Sequence, residues 1–372
     1  MPNPSPARIA VDTHVDTILR MIDLGEDLGR PGTSGYMDLP AMREGGLDAA
    51  FFACCVTFDL VALGRAAARA VELIEGVHEL CARFPNEIAL ARTAREVRAN
   101  AAKGRRAAVI TIEGGHALEG DLGRLADWHA RGVRAIGLTH FNTNDLADSA
   151  TDVSRHGGLS ALGRQAIAEM NRLRILIDVS HASDDAFWQA LELSRQPILA
   201  SHSSARSLTA HPRNLTDEMI RALAAKGGVI GVTCWPEYIS EAYNRALSQH
   251  CAATAPQGRE GGAAPSAIAE LLARIGNDPI AAYNVLMTAG VPFPSLQDYV
   301  EHIVHVIGIA GFDHVALGSD HGACRFELAG LETCARLPAL EAALAARGLG
   351  PDAVGKIMGG NILGLMEAVV GE

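Results

Sequence analysis

Short apolar runs alternate along the chain with longer segments that have helical periodicity. Eight of these runs have the length and composition of buried strands: IAVDTHVD, LDAAFFACCV, AAVITIEGG, VRAIGLTH, RILIDVSH, PILASHSS, GGVIGVTC and HVALGSD. Buried strands that alternate with helices predict parallel βαβ units. Eight such units in one chain favour a closed (β/α)8 TIM barrel of the α/β class over an open sheet.

The segments between the strands carry helix signals. Residues 159–170, LSALGRQAIAEM, place apolar side chains three and four positions apart, which is the spacing of one helix face. The alternation breaks over about 237–300, where the stretch CAATAPQGREGGAAPS is small, polar and rich in Gly and Pro. We therefore predict a single barrel domain over residues 1–372, with an insertion at about 237–300 that is a candidate lid or dimer element.

The net charge of the chain limits the kinds of molecule that it is expected to bind. The chain has 372 residues, 48% of them hydrophobic, which is enough to bury one large core, and its formal net charge is −11. Such a surface has no overall basic field, which argues against nucleic acid or an anionic membrane as the main partner. A small-molecule substrate is the better expectation, and a homodimer is a candidate assembly.

The cysteines and the amino-terminal residues bear on location. The seven cysteines form no C-x-x-C pair and no regular framework, which predicts buried thiols in a reducing compartment. The first residues, MPNPSPARIAVDTH, lack the charged and apolar regions of a secretion signal. The sequence also has no run of eighteen apolar residues. We therefore expect a cytoplasmic protein.

Ionisable side chains stand at the carboxyl ends of the predicted strands. Seven residues follow this pattern: His14, Asp16, Glu113, His140, His181, His202 and Asp320. In a (β/α)8 barrel the active site is built at this end, from the tips of several strands. Because successive side chains on a strand alternate in direction, His14 and Asp16, two residues apart, are predicted to point together into the barrel mouth.

Five of these residues form a candidate metal site: His14, Asp16, Glu113, His181 and His202. One H-x-D motif does not fix a metal, and a lone histidine at a strand end is more often a hydrogen-bonded structural residue. Five ionisable groups at neighbouring strand tips would, however, bury several charges in one place, which is costly unless cations compensate them. Mixed imidazole and carboxylate ligation suits zinc, and it does not exclude manganese or cobalt.

The same segments resemble the membrane dipeptidase, or renal dipeptidase, family of zinc peptidases. The similar stretches are VDTHVDT, TIEGGHAL, GLTHFNTND, GGLSALGRQAIAEMNRLRILIDVSH, SHSSAR followed by HPRNLTD, GSD near 320, and GGNILG at 359–364. They span nearly the whole chain in order, and the long middle stretch is the most specific. The resemblance implies a zinc-dependent dipeptidase of the soluble bacterial type, because the secretion and anchor signals of the membrane-anchored members are missing.

For the metals, the resemblance implies a binuclear centre. His14 and Asp16 would bind one Zn²⁺ ion. His181 and His202 would bind the other, and Glu113 would bridge the two. Two such ions, about 3.5 to 4 Å apart, lower the pKa of a bridging water and polarise the scissile carbonyl. The expected reaction is hydrolysis of L-L and L-D dipeptides by a metal-bridging hydroxide, with no protein nucleophile.

The resemblance also implies residues that handle the substrate. Arg213 and Asn214 would help bind it, with the forked guanidinium of Arg213 matching a free C-terminal carboxylate. His140 would contact the substrate and stabilise the oxyanion of the tetrahedral intermediate. Asp320 would take a proton from the hydroxide and pass it to the leaving amine.

The sequence departs from the family after Asp320, where His321-Gly322-Ala323 replaces the usual aromatic and acidic residues. That departure affects expectations for the substrate pocket rather than for the metal site. Two other function classes stay open. One is a metal-dependent amidase acting on N-acyl amino acids or related small substrates, and the other is a non-catalytic metal-binding scaffold. His140 and Asp320 argue against the scaffold, which would have no use for an acid–base residue beside the metals.

Overall fold

Eight parallel strands close into a barrel, as the sequence predicts. A computed structural model of the chain describes residues 8–32, 36–254, 285, 290–322 and 328–371. The strands are β1 Ala10–Val15, β2 Leu47–Cys55, β3 Ile88–Leu90, β4 Arg106–Glu113, β5 Val133–Gly137, β6 Leu176–Asp178, β7 Leu199–Ala200, β8 Val229–Val232 and β9 Val315–Leu317. The barrel follows the order β1-β2-β4-β5-β6-β7-β8-β9, and β9 pairs with β1 to close it.

Strand β3 lies outside this ring and was not predicted. It pairs with Arg106, Ala107 and Ala108 at the start of β4. These residues precede the part of β4 that pairs with β5. Three residues are too few to show the alternation or the apolar run that signals a strand. The eight barrel strands, by contrast, coincide with the eight apolar runs.

Helices surround the barrel. They are α1 Thr17–Leu24, α2 Leu39–Gly45, α3 Asp59–Ala62, α4 Ala66–Arg83, α5 Ala94–Ala101, α6 Arg124–Arg131, α7 Ala161–Leu173, α8 Asp184–Leu193, α9 Asp217–Ala225, α10 Pro236–Ile239, α11 Glu241–Thr254, α12 Leu296–Ala310, α13 Leu337–Ala346, α14 Pro351–Gly355 and α15 Asn361–Val369. The helix predicted over 159–170 is α7. It begins after Ser160, whose hydroxyl accepts a hydrogen bond from the backbone N–H of Gly163.

Two buried clusters explain why the barrel has one closed and one open end. The larger cluster lies between the strands and the surrounding helices. The smaller one collects side chains from the eight barrel strands, among them Val11, Phe51 and Val229, and packs them against Met366 and Val369 of α15. Because Val11 and Val229 lie towards the amino ends of their strands, α15 covers that end. The carboxyl ends remain available for a site.

The predicted insertion at 237–300 lies largely outside the described residues. Its described parts are the end of α10, helix α11, residue 285, and residues 290–300 with the start of α12. The role predicted for it as a lid or dimer element therefore stays a prediction. Within the described ranges, the helices are too short or too polar to cross a membrane. The described cysteines Cys54, Cys55, Cys81, Cys234 and Cys334 are free thiols.

Candidate active site

The strand tips bring the seven predicted ionisable residues to one end of the barrel. His14 lies in β1, and Glu113 is the last residue of β4. His202 follows β7 by two residues, whereas His140, His181 and Asp320 follow β5, β6 and β9 by three. All are buried except His140, which is half-buried. Parallel strands that end together therefore place four imidazoles and three carboxylates in one pocket.

Glu113 stands at the centre of this group. Its Oε1 lies 3.1 Å from Nε2 of His181 and 3.4 Å from Nε2 of His202. The same oxygen lies 3.6 Å from Nε2 of His14 and 3.8 Å from Nε2 of His140. One carboxylate thus faces the Nε2 atoms of four histidines.

The five predicted metal ligands belong to two neighbouring sets of ligand-type atoms. Glu113, His181 and His202 form one set, whose ligand atoms all lie within 4.8 Å of one another. The other set consists of His14, Asp16 and Asp320, in which Nε2 of His14 is 3.9 Å from Asp16 Oδ1 and 3.8 Å from Asp320 Oδ1. Imidazole and carboxylate donors of this kind are typical metal ligands.

Buried polar atoms without hydrogen-bond partners indicate whether these residues are suited to bind a metal. Within the described chain, His14 Nε2, Asp16 Oδ1 and Glu113 Oε2 are buried and have no hydrogen-bond partner. Buried polar atoms are normally hydrogen-bonded, so atoms that converge without partners need another explanation. Atoms that bind a cation would converge in this way without hydrogen-bond partners. The imidazole and carboxylate donors present fit zinc.

Two of the site residues have an unusual backbone. His181 has φ 70° and Asp320 has φ 65°, both in the left-handed region that L-residues rarely adopt. Hydrogen bonds hold both conformations in place: Asp320 N–H donates to the carbonyl of His14, and Ala150 N–H donates to the carbonyl of His181. Backbone strain of this kind is typical of functional positions.

Burial and neighbouring charges shift the pKa values in the site. Burial alone lowers the pKa of His14, but Glu113, Asp16 and Asp320 outweigh it and raise that pKa to about 10. Burial raises the pKa of Asp320 to about 6, although the nearby His14 opposes the rise. Burial lowers the pKa of His140 to about 4, against the pull of Glu113. At neutral pH, His140 is therefore a neutral imidazole that can donate a hydrogen bond from its ring N–H.

Arg213 lies in the loop between β7 and α9, next to the imidazoles. Its Nη2 donates to the carbonyl of His202 at 3.1 Å, and its guanidinium carbon lies 5.1 Å from the centre of the Tyr238 ring. Its buried Nε has no hydrogen-bond partner among the described residues. A buried guanidinium with an unused donor is suited to bind an anionic group.

Asn214 lies beside Arg213, but its amide is fully engaged with the backbone. Nδ2 donates to the carbonyls of Thr209 and Tyr238, and Oδ1 accepts from the N–H of Ser204. These bonds fix the loop that carries Arg213. The structure therefore places Asn214 where it orients its neighbour.

His14 and Asp16 point into the same pocket, with Nε2 of His14 3.9 Å from Oδ1 of Asp16. Asp16 follows the last residue of β1 and precedes α1, with φ −91° and ψ 8°. The chain therefore turns into α1 at Asp16. The N–H of Asp16 donates to the carbonyl of His321, which fixes that turn to the end of β9.

Comparison with known proteins identifies the family. The chain matches the model of the family described as membrane dipeptidase (Peptidase family M19) over residues 6–370. The chain belongs to this family. A curated relative in this comparison, dipeptidase aclJ of Aspergillus oryzae, is 30% identical over 349 residues, which cover 90% of this chain and 70% of the relative.

Solved structures agree with this membership in the dipeptidase family. The crystal structure of the probable dipeptidase PvdM from Pseudomonas aeruginosa has a TM-score of 0.82 at 28% identity, and the match covers 98% of this chain and 96% of that one. A metallo peptidase from Rhodobacter sphaeroides was solved with a phosphinate mimic of the dipeptide L-Ala-D-Ala. It has a TM-score of 0.78 at 23% identity over 98% of this chain and 100% of that one, a likeness of fold.

Sequence analysis missed two polar residues of this dipeptidase-family site. Asp178 is the last residue of β6 and is buried behind the histidines, and Ser201 immediately precedes His202. A third missed residue is Cys55, whose Sγ lies 4.0 Å from Nδ1 of His140 at the end of β2. The strand-tip rule that selected the seven candidates also applies to Asp178 and Cys55, so the signal was present in the sequence.

Proposed function

We propose that this chain is a dipeptidase that uses two Zn²⁺ ions. The observation that carries the proposal is the position of Glu113, whose Oε1 lies 3.1 to 3.6 Å from Nε2 of His181, His202 and His14. Membership in the membrane dipeptidase family, and the dipeptidase name of its relative aclJ, support the choice of substrate.

In this proposal the five ligands divide as the two sets of donors suggest. His14 and Asp16 would hold one ion, His181 and His202 would hold the other, and Glu113 would be shared by both. When bound, the two ions lower the pKa of a water and polarise the scissile carbonyl.

The other site residues handle the proton and the substrate. Asp320 accepts a proton from the attacking water as the new C–O bond forms, and returns it to the leaving amine as the C–N bond breaks. The ring N–H of His140 donates to the substrate carbonyl oxygen as that oxygen gains charge. Arg213 binds the free C-terminal carboxylate, and Asn214 holds its loop. The products are two free amino acids.

The test is a comparison of substrates with the zinc-loaded protein. We expect rapid hydrolysis of L-Ala-L-Ala and L-Ala-D-Ala and much slower hydrolysis of N-acetyl-L-alanine. L-D dipeptides are included because the family resemblance implies them. A higher kcat/KM for N-acetyl-L-alanine than for both dipeptides would contradict the proposal and support an amidase. An absence of hydrolysis with both metals bound would support a binding scaffold.

A further inference from the structure

Asp178 and Ser201 form a hydrogen-bonded pair directly behind the metal-site histidines. Oδ1 of Asp178 accepts from the backbone N–H groups of Ser180 and Ser201, each at 3.0 Å. Oδ2 of Asp178 lies 2.5 Å from Oγ of Ser201. A carboxylate has no proton to give, so the Ser201 hydroxyl donates its proton to Asp178.

Because Ser201 donates its proton to Asp178, it can interact with the neighbouring histidine rings only as a hydrogen-bond acceptor. Its Oγ lies 2.7 Å from Nδ1 of His202 and 3.4 Å from Nδ1 of His14. A hydroxyl carries one proton, and here Asp178 receives it. Ser201 can therefore only accept hydrogen bonds from the two rings, which requires a proton on Nδ1 of His202 and, over the longer contact, on Nδ1 of His14.

The arrangement of the rings makes this proton placement useful. The His14 and His202 rings lie over each other, with centroids 3.7 Å apart and a tilt of 33°. Both turn Nδ1 towards Ser201 and Nε2 towards Glu113, at 3.6 Å for His14 and 3.4 Å for His202. A neutral ring protonated on Nδ1 has its lone pair on Nε2, which in His202 is the atom that faces the metal site.

We propose that Asp178 and Ser201 are positioning residues that fix the Nδ1–H tautomer of His202 and orient His14 for metal binding. The proposal rests on the proposed function in one respect, because it takes both histidines as metal ligands. Partners of this kind hold ligand rings in place and raise their basicity. The third histidine, His181, has no partner on Nδ1 in the described part of the chain, so the pair acts on the other two rings.

Asp178→Asn is the most direct test, because it reverses the direction of the hydrogen bonds. The Asn amide keeps the Oδ1 acceptor but can donate from Nδ2 to Ser201. The Ser201 hydroxyl is then free to donate to Nδ1 of His202, which moves the ring proton to Nε2 and blocks the metal-binding lone pair. We expect zinc affinity, measured by competition with a chromophoric chelator, to fall about 10- to 100-fold.

Matched serine variants separate this role from a general loss of structure. Ser201→Ala should weaken zinc binding, and Ser201→Thr, which keeps the hydroxyl, should restore most of it. Ser203→Ala is the control, because Ser203 flanks His202 on the other side and its Oγ lies 3.5 Å from Ser180 Oγ. It should bind zinc like the wild type. Wild-type zinc affinity in folded Asp178→Asn and Ser201→Ala proteins would overturn the proposal.

A measurement on the metal-free protein tests the role of Asp178 and Ser201 separately from the proposed function. Long-range ¹H–¹⁵N spectra of the metal-free protein, labelled at histidine, report the tautomer of His202, and a His202→Gln variant assigns its signals. We expect the Nδ1–H form in the wild type and the Nε2–H form in Asp178→Asn. An Nε2–H wild-type ring would overturn the proposal, even if the variants fail to fold. Failure of the wild type to bind zinc would instead contradict the proposed function.

Discussion

At the scale of single residues, the pocket holds groups whose chemistry is set by what surrounds them. Asp320 is buried next to His14 and has a pKa of about 6, so it can exchange a proton close to neutral pH. Arg213 is buried and keeps an unused donor. Glu113 is surrounded by imidazoles, with His140 and His14 among those that outweigh its burial and hold its pKa well below the usual range. A single substitution at each of these residues is expected to have a measurable effect.

Asp320→Asn should lower kcat by about 10²-fold or more, the range typical of general acid–base groups. The amide keeps the size of the carboxyl group but cannot accept and return a proton. The measurement is kcat against pH for the wild type and the variant, with metal content determined on the same samples. The wild-type rate should fall as pH drops through the pKa of Asp320, and this acidic limb should be absent from the variant. Unchanged kcat with both metals bound would contradict the proton role.

Arg213→Met should raise KM for free dipeptides about 10- to 100-fold, since a hydrogen bond to a charged group contributes about 1.5 to 3 kcal/mol. Dipeptide amides have no C-terminal carboxylate, so their KM should change much less. Arg213→Lys is the matched control that keeps the charge but not the forked geometry, and it should recover part of the loss. Equal losses on acids and amides would remove the carboxylate-binding role.

Glu113→Gln should weaken both metals together, because the amide cannot supply two anionic oxygens to two ions. His14→Ala should mainly weaken one of the two. Metal analysis after dialysis at several free zinc concentrations gives the number of ions retained. Retention of one ion at wild-type affinity in Glu113→Gln would show that Glu113 does not bridge.

At the scale of elements, the loop between β5 and α7 supports two of the site histidines. Ser149 Oγ donates to the carbonyl of His140 at 2.6 Å, and Ala150 N–H donates to that of His181. Asp148 holds this loop together, because its carboxylate accepts from the N–H groups of Arg155, His156 and Gly158 and from the Ser154 hydroxyl. The loop conformation therefore depends on an ionised carboxylate.

Asp148→Asn should destabilise the protein by about 1 to 2 kcal/mol at neutral pH. Burial alone raises the pKa of Asp148, but hydrogen bonds from Gly158, Arg155 and Ser154 outweigh it and lower that pKa to about 2. Because the folded pKa is depressed, the stabilisation is present above about pH 4 and is lost as pH falls towards 2. Urea unfolding at several pH values should show the wild type and the variant converging in this window. A stability difference that does not depend on pH would contradict the role of the charge.

The elements that could be predicted from the sequence are those with a long or periodic pattern. The eight barrel strands and α7 were found in this way, whereas β3, with three residues, was not. The turn at Asp16 could not be predicted, because it depends on the contact between the ends of β1 and β9. The pairing of Ser201 with Asp178 requires the register of β6 against β7, in which Asp178 lies opposite Leu199, and no local pattern specifies that register.

At the scale of the whole molecule, the apolar packing at one end of the barrel and the ionisable residues of the candidate site lie at opposite ends of the strands. Helix α15 and the smaller buried cluster cover the amino ends of the strands, and the ionisable residues lie at the carboxyl ends. The seven predicted site residues come from six different strand tips, so closure of the barrel is what assembles the site. The central claim is that this assembled site needs two metal ions to hydrolyse dipeptides.

Titration of the metal-free enzyme with Zn²⁺ tests this claim most directly. Hydrolysis of L-Ala-L-Ala is measured after each addition, at a protein concentration well above the metal Kd, and bound zinc is determined on the same samples. The two-metal account predicts that activity stays low at the first equivalent if one ion binds before the other, and reaches its maximum at two equivalents per chain. Full activity at one equivalent, with no further rise as the second ion binds, would contradict it.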